Sequence, residues 1–173
     1  MTRSGRSARA SAYALLPLLL VSGCLYGLRG GGGFPSDVQT VFIAPVENRT
    51  SQFQIDQELA RLLTEQLPRS LGVRLAGEEV ADAMVTARIT GYTDVAQNYS
   101  AGQPGTVRVD QQTVQITAAV QIIDVKRNEI LWDSQSLAGR GEYSPESQSN
   151  VFAQNIAIES LVDQIIEGAQ SQW

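Results

Sequence analysis

Few side chains in this sequence have the types and spacing that enzymatic catalysis requires. The chain contains no histidine, which removes the commonest general base and the usual serine and cysteine triads. The neighbours Glu78 and Glu79 point in different directions in either a helix or a strand, so they do not form an acid/base pair. Asp133 and Glu142 lie near one predicted strand end without a nucleophile beside them, and Lys126 lies in a turn. We therefore predict that the protein is not an enzyme.

The sequence also offers few ligands for a metal or a cofactor. Cys24 is the only cysteine, so the chain cannot form an internal disulfide or a thiolate cluster. The missing histidines remove most zinc sites. Glycines 30–33 share only their composition with a phosphate-binding loop, because they precede a strand and no lysine follows them. A flexible tether is the simpler interpretation, and we expect neither a metal nor a cofactor.

The residues before Cys24 point to covalent attachment of lipid at its thiol. Residues 1–9 are polar and basic, and residues 10–21 form an apolar run that is too short for a bilayer core, which needs about 20 residues. This combination is typical of a secretory signal peptide. Val21-Ser22-Gly23 directly before the cysteine matches the lipobox of bacterial lipoproteins, in which the thiol receives a diacylglycerol before cleavage. The alternative is an ordinary signal peptide with a chance cysteine.

Lipidation at Cys24 would divide the chain into three parts. Residues 1–23 would be a signal peptide, residues 24–36 a lipidated cysteine with a glycine-rich tether, and residues 37–170 a single domain. Acyl chains contribute about 0.8 kcal/mol per buried methylene, so two or three of them give a stable membrane anchor. Leu25 occupies the position at which an inner-membrane retention signal has an aspartate. We therefore expect a lipid-anchored protein of the outer membrane.

The charge balance excludes nucleic acids as partners. The chain has 13 basic and 18 acidic residues. Removal of Arg3, Arg6 and Arg9 with the signal peptide leaves a net charge of −8. A chain that acidic is a poor match for a phosphate backbone.

The hydrophobic pattern after residue 37 predicts one α+β domain with the element order β-α-β-β-β-α. A buried strand stops near Pro45, and a helix with apolar residues from Ile55 to Leu67 follows, for which Ser51 and Gln54 have capping-box spacing. Three alternating strands and a C-terminal helix cover residues 84–95, 107–125, 130–138 and 152–166. Because two separate helices accompany a run of strands, we expect a two-layer α/β sandwich with both helices packed on one face of a mostly antiparallel sheet.

The sheet face turned away from the helices is predicted to be polar. Thr90, Gln115 and Thr117 alternate with apolar residues along their strands, and we assign Tyr92 to the same face and Val95 to the apolar one. Such a face meets either water or a protein partner, because amides and hydroxyls offer hydrogen bonds without the desolvation cost of full charges. Thr90, Gln115 and Thr117 are therefore candidate partner contacts.

Arg108 and Arg140 are expected in loops that flank this sheet. An arginine fork suits phosphate oxygens, so both are candidate contacts for the headgroup of a lipid. Exposed arginines also occur without a binding role.

The segment Cys24-Leu25-Tyr26-Gly27-Leu28-Arg29-Gly30 resembles the start of mature lipopolysaccharide-assembly lipoproteins, the LptE family. The similarity continues through Phe34-Pro35, the strand Thr40-Val41-Phe42-Ile43-Ala44-Pro45, the turn Glu47-Asn48-Arg49-Thr50 and the strand start Ile130-Leu131-Trp132-Asp133. It covers essentially the whole mature chain in the same order of elements.

The resemblance implies an outer-membrane lipoprotein of the lipopolysaccharide translocon. Such a protein lies as a plug inside a large β-barrel partner of the LptD type, helps that barrel to assemble and binds lipopolysaccharide. It would be anchored by its lipid and would face the periplasm or lie inside the barrel lumen. The family's headgroup contacts are basic loop residues without a motif that aligns here, so Arg108 and Arg140 rest on their own chemistry.

A second interpretation uses the same architecture. A strand that ends at proline, an Asn-x-Thr turn and a helix, as in the run from Val41 to Leu67, also occur in lipoproteins that activate peptidoglycan synthases or build secretion pores. A pore former would carry membrane hairpins with lipid-facing apolar residues, whereas the long hairpin here has a Thr/Gln face. Co-purification of a large outer-membrane barrel in detergent would distinguish the two interpretations.

Overall fold

The structure is a computed structural model that describes residues 35–101 and 107–171. For residues 98–101 and 107–109 only the backbone is described. All of these residues belong to one compact unit, Gly32–Trp173. The predicted signal peptide, Cys24 and the tether up to residue 34 lie outside the described residues.

Within the described residues, six strands form one sheet. They are β1 (Thr40–Ile43), β2 (Glu47–Asn48), β3 (Arg74–Leu75), β4 (Ala83–Ala101), β5 (Val107–Asp124) and β6 (Glu129–Tyr143). The order across the sheet is β3-β1-β4-β5-β6, and β2 pairs with β4 further along that strand. The long β4, β5 and β6 are antiparallel neighbours, whereas the short strands pair in parallel. The predicted first strand forms as β1 and ends before Pro45, which has no N–H for a strand ladder. β2 forms within the segment that was predicted to be only a turn.

The strands of the antiparallel part are longer than predicted. β4 and β5 pair from Ala83 opposite Asp124 to Ala101 opposite Val107, which shortens the predicted loop between them. β6 continues to Tyr143 instead of ending near residue 138. The prediction that Arg140 lies in a loop is therefore wrong, because its backbone pairs with Gln115 of β5.

A bulge in β4 reverses which residues face the helices. Ile89 lies opposite Ala118 and Gly91 lies opposite Thr117, so Thr90 is an extra residue on this strand. A bulge of one residue shifts the alternation of all later side chains. Consequently Tyr92 lies opposite the buried Ile116 on the helix side.

The assignments of Tyr92 and Val95 from strict alternation are therefore both wrong. Tyr92 packs against the core, and Val95 is half exposed on the other face.

The first helix, α1 (Ile55–Leu71), forms where the apolar spacing predicts it. Its buried residues are Ile55, Leu59, Leu62, Leu63, Leu67, Pro68 and Leu71. Gly72 ends the helix in a left-handed conformation, with φ of 71°, which glycine adopts without steric cost. The predicted capping box does not form, because the N-cap residue Gln54 is itself left-handed and makes no side-chain cap bond.

The second helix, α2 (Asn150–Ser171), packs on β5, β6 and α1. Its buried face consists of Ala153, Gln154, Ala157, Ile158, Leu161, Val162, Ile165 and Ala169. Ala153 and Ala157 lie directly over Gly141 and Gly139 of β6.

Two bulky apolar residues of α2 do not join the core, contrary to the predicted helix face. Phe152 and Ile156 are exposed, because the small alanines next to them occupy the positions over the β6 glycines. The buried apolar residues of both helices cover one face of the sheet, and the predicted two-layer α+β architecture is confirmed.

Candidate docking face on the sheet

The sheet side turned away from α1 and α2 carries hydroxyls, amides and a few charges. We call this side the polar face. Its residues include Thr86, Arg88 and Thr90 of β4, Gln115, Thr117 and Gln121 of β5, and Asp133, Arg140 and Glu142 of β6. All of them are exposed or half buried.

The three predicted partner contacts lie together at the centre of the polar face. The Thr90 hydroxyl donates a hydrogen bond to the Thr117 carbonyl oxygen at 3.3 Å. Gln115 lies two residues from Thr117 on the same strand and accepts a hydrogen bond from Arg140 Nε at 2.8 Å. The structure thus joins Thr90, Gln115, Thr117 and Arg140 into one continuous patch.

Arg140 is a cation without a charged partner. Its guanidinium donates a hydrogen bond to the neutral Gln115 amide oxygen, and among the described residues no carboxylate forms an ion pair with it. The nearby Glu142 instead accepts a hydrogen bond from the Gln111 amide at 2.5 Å. An exposed guanidinium held by one neutral acceptor keeps most of its donors available for an incoming anion.

A second charged group lies at the β2 end of the polar face. Glu47 accepts hydrogen bonds from Arg88 Nε at 2.5 Å and from Arg49 Nε at 2.8 Å. These two guanidinium groups, Arg88 first, lower the pKa of the Glu47 carboxyl. The group carries one carboxylate and two guanidinium ions, so it contributes a net positive charge.

A shallow depression of about 380 Å³ lies beside this ion pair. It is lined by Glu47 and Arg88 together with Thr86, Gln121 and Gln135, and small Ala119 is part of its wall. A cavity of this size accommodates one protruding side chain of a partner. Local sequence patterns do not indicate this depression, because it depends on strands that pair far from one another in the chain.

One buried hydroxyl on this side also has no partner. Thr113 lies opposite Glu142, is buried, and its Oγ1 makes no hydrogen bond. An unsatisfied buried hydroxyl is uncommon in folded proteins. Because Thr113 is buried, this hydroxyl is not accessible to a partner on the polar face.

The aromatic residue predicted for the polar face instead belongs to a buried polar group under α2. The Tyr92 hydroxyl accepts a hydrogen bond from the Gln154 amide at 3.0 Å. The Tyr143 hydroxyl lies 3.0 Å from Asp94 Oδ2 and also contacts Gln112 Oε1. Burial and the Asp94 carboxylate raise the pKa of Tyr143 to about 12. The Tyr92–Gln154 hydrogen bond joins α2 to the sheet.

For Arg108, the other candidate contact for a lipid headgroup, the structure describes only the backbone. Arg108 lies in β5, where its backbone pairs with Ser100 of β4, so the prediction that it lies in a loop is wrong. Its side chain is outside the described part of the structure.

The polar face differs in charge from the helix layer. Three arginines (Arg49, Arg88 and Arg140) and three carboxylates (Glu47, Asp133 and Glu142) lie on or beside it, so the charges balance. The two helices carry six acidic residues and only Arg61 and Arg69 as cations. The polar face is therefore the less acidic side of an acidic protein.

The described part of the chain has neither a metal-binding cluster nor a membrane-spanning helix. Residues 35–101 and 107–171 contain no group of three or more carboxylate or thiol ligands that could hold a metal ion. Neither α1 nor α2, the helices of these residues, is long and apolar enough to cross a membrane.

Comparison with solved structures identifies the fold. The chain is similar to the hypothetical protein CT253 from Chlamydia trachomatis, with a TM-score of 0.50 and 12% identity over 77% of this chain and 99% of that one. It is also similar to a minor lipoprotein from Acinetobacter baumannii, with a TM-score of 0.45 and 19% identity over 79% and 94% of the two chains. At 12% identity, the similarity to CT253 shows a shared fold and nothing more.

Comparison with sequences identifies the family. A search against curated proteins gives no match. The family model of LptE, described as lipopolysaccharide-assembly, matches residues 38–169. This match runs from the residues before β1 to the last turns of α2 and confirms the resemblance that the sequence motifs indicated. The chain therefore belongs to the LptE family of lipopolysaccharide assembly.

Proposed function

We propose that this protein is an outer-membrane lipoprotein of the lipopolysaccharide translocon. It plugs a β-barrel partner of the LptD type, assists the assembly of that barrel and binds lipopolysaccharide on its way to the cell surface. The LptE family is a non-enzymatic accessory family, and the proposed role requires binding alone.

The polar face is the observation that carries this proposal. The interior of a transmembrane barrel is polar, in contrast to its outside. When a face of hydroxyls and amides with balanced charges docks on such a wall, it loses bound water but forms new hydrogen bonds. The desolvation cost is therefore low. Thr90, Gln115 and Thr117 are proposed as barrel contacts because they form the continuous centre of this face.

Lipid attachment at Cys24 supports the location that we propose. A diacylglyceryl thioether with two or three acyl chains provides stable anchoring. The anchored domain would face the periplasm or lie in the barrel lumen.

Arg140 is our candidate for a lipopolysaccharide phosphate contact. Its guanidinium is exposed on the polar face, and within the described part of the chain it pairs only with the neutral Gln115 amide. Arg140→Glu should weaken binding of lipopolysaccharide, and the effect should decrease as salt is added because exposed charges are screened. Arg108→Glu is the companion variant for the other predicted arginine. Equal binding by the wild type and both variants would leave the arginines as surface charges.

Depletion of the protein in cells tests the function as a whole. We expect assembled barrel and surface lipopolysaccharide to fall together, since barrel maturation depends on the plug. Re-expression of the wild type should restore both. Unchanged surface lipopolysaccharide with a defect in peptidoglycan synthesis would instead support the synthase-activating interpretation.

A further inference from the structure

The outer surface of the helix layer carries a second exposed feature that the polar face does not explain. Four large apolar side chains lie on it, with exposed fractions of 86% for Phe53, 55% for Val151, 45% for Phe152 and 36% for Ile156. Phe53 and Val151 line opposite sides of a groove of about 460 Å³ between the first turns of α1 and α2. Phe152 and Ile156 are exposed on α2 but are not among the residues that line this groove. Exposed apolar side chains grouped on one surface mark interaction sites.

The loop that presents Phe53 is held by its own hydrogen bonds. Asn48 Oδ1 accepts bonds from the Thr50 amide at 2.9 Å and the Thr50 hydroxyl at 2.8 Å. Asn48 Nδ2 donates to the Gln52 carbonyl at 2.7 Å. Gln54 then adopts a left-handed conformation with φ of 70°, which is uncommon for a residue with a side chain. A fixed, exposed aromatic side chain is the type of anchor that dominates binding energy at protein interfaces.

The same surface of α2 continues as a row of carboxylates. Glu159, Asp163 and Glu167 are exposed and follow Phe152 and Ile156 at helical spacing, so all five share one side of the helix. The described part of the chain provides no ion pair for these three carboxylates, and α2 contains no basic residue.

The adjoining part of α1 does not neutralise this row. Arg61 lines the groove, but its guanidinium is bound by Glu58 at 2.5 Å and Glu65 at 3.1 Å. Glu159 also raises the pKa of Arg61 through its charge, after the larger effect of Glu58. The surface around the apolar residues is therefore acidic.

We infer that Phe53, Val151, Phe152, Ile156 and the acidic row of α2 form a docking surface for a protein segment that is both apolar and basic. The apolar side chains of that segment fill the groove beside Phe53, and its lysines or arginines pair with Glu159, Asp163 and Glu167. Charge complementarity selects this occupant over an anionic lipid headgroup, which the carboxylates repel. The surface lies on the opposite side of the domain from the polar face, so the segment that it binds is distinct from the segment proposed to contact Thr90, Gln115 and Thr117.

Photo-crosslinking in intact cells tests this inference on the full chain. A photo-crosslinking amino acid is placed at Asn155, which lines the groove between α1 and α2, and the captured peptide is sequenced by mass spectrometry. We expect a protein segment with apolar residues and an excess of lysine and arginine. Capture of lipopolysaccharide, of an acidic or uncharged segment, or of nothing would overturn the inference.

A charge reversal provides the matched comparison. Glu159→Lys combined with Asp163→Lys should lower the crosslink yield about 2- to 30-fold, the effect of losing two exposed ion pairs. Glu78→Lys combined with Glu79→Lys makes the same change of charge on an exposed turn and should leave the yield unchanged. Equal yields in both double variants would contradict the proposed pairing. Crosslinks from Thr117 on the polar face should persist in both, which separates this inference from the proposed barrel contact.

Discussion

Gly139 of β6 lies directly beneath Ala157 of α2, so close that a Cβ atom at position 139 would stand 1.9 Å from the Ala157 carbonyl oxygen. Gly141 has the same relationship to Ala153, at 2.0 Å. Both neighbouring atoms belong to the helix backbone and cannot move aside as a flexible side chain would. The two glycines therefore allow α2 to approach the sheet closely.

Substitution of Gly139 tests this packing. Gly139→Ala should lower the free energy of unfolding by about 1–3 kcal/mol or more, because overpacking forces the backbone to shift. Gly77→Ala is the control, since a Cβ there meets nothing within 4 Å. Urea denaturation of the two variants measures the difference, and equal stability would show that α2 does not contact β6 in this way.

This contact also shows where the sequence was informative and where it was not. The apolar spacing of Leu59, Leu63 and Leu67 located α1 correctly, because one helix face alone determines that pattern. The two glycines, Gly139 and Gly141, led us to predict a loop. In the structure they lie in β6, where the absence of a Cβ allows α2 to pack closely on the strand. That role depends on α2, which is distant along the chain, so local composition could not show it.

The polar face was predicted in part for a similar reason. Strict alternation identified Thr90, Gln115 and Thr117 correctly. It misplaced Tyr92, because the bulge at Thr90 reverses the alternation from there to the next register shift, after Ala96. Gly91 was the signal that could have indicated it, since an isolated glycine inside a strand often marks a bulge. The Glu47–Arg88 ion pair was also missed, since it joins residues of two strands whose pairing was not predicted.

The assignment of the two helix faces can be tested by truncation. Leu59 and Leu161 are fully buried, so Leu59→Ala and Leu161→Ala should each cost about 2–5 kcal/mol of unfolding free energy. Val80→Ala removes an exposed side chain and should change stability little. Thermal or urea unfolding provides the measurement, and negligible losses at both leucines would refute the predicted core.

Asp82 should make stability depend on acid pH. Its carboxylate binds Lys126 Nζ at 2.5 Å, the Thr40 hydroxyl at 2.8 Å and the Gln39 amide at 3.0 Å. These contacts, Lys126 first, lower the pKa of Asp82 in the folded state. A lowered pKa means that the stabilisation is complete above the ordinary aspartate pKa of about 3.9 and is lost as the pH falls below it.

Asp82→Asn isolates that contribution. The variant should lose about 1.5–3 kcal/mol at neutral pH, the range for hydrogen bonds to a charged group. The difference from wild type should shrink as the pH falls below about 4. Unfolding measured across this pH range checks the prediction, and a difference that does not vary with pH would contradict it.

Lipidation at Cys24 can be tested by the mass of the mature protein. Cys24→Ser removes the thiol that forms the thioether, so the variant should remain uncleaved or appear as a soluble periplasmic form. Mass spectrometry of the wild type should show a diacylglyceryl-modified cysteine at the N-terminus. An unmodified Cys24 or an intact Met1 end would rule out the proposed anchor.

The most direct test of the central claim is a photo-crosslink from Thr117, at the centre of the polar face, in intact cells. The account predicts capture of an outer-membrane β-barrel protein, whereas the same crosslinker at Glu79, in an exposed turn, should not capture it. Capture of a peptidoglycan synthase from Thr117, or the absence of any barrel adduct there, would contradict the claim that the polar face docks against a barrel wall.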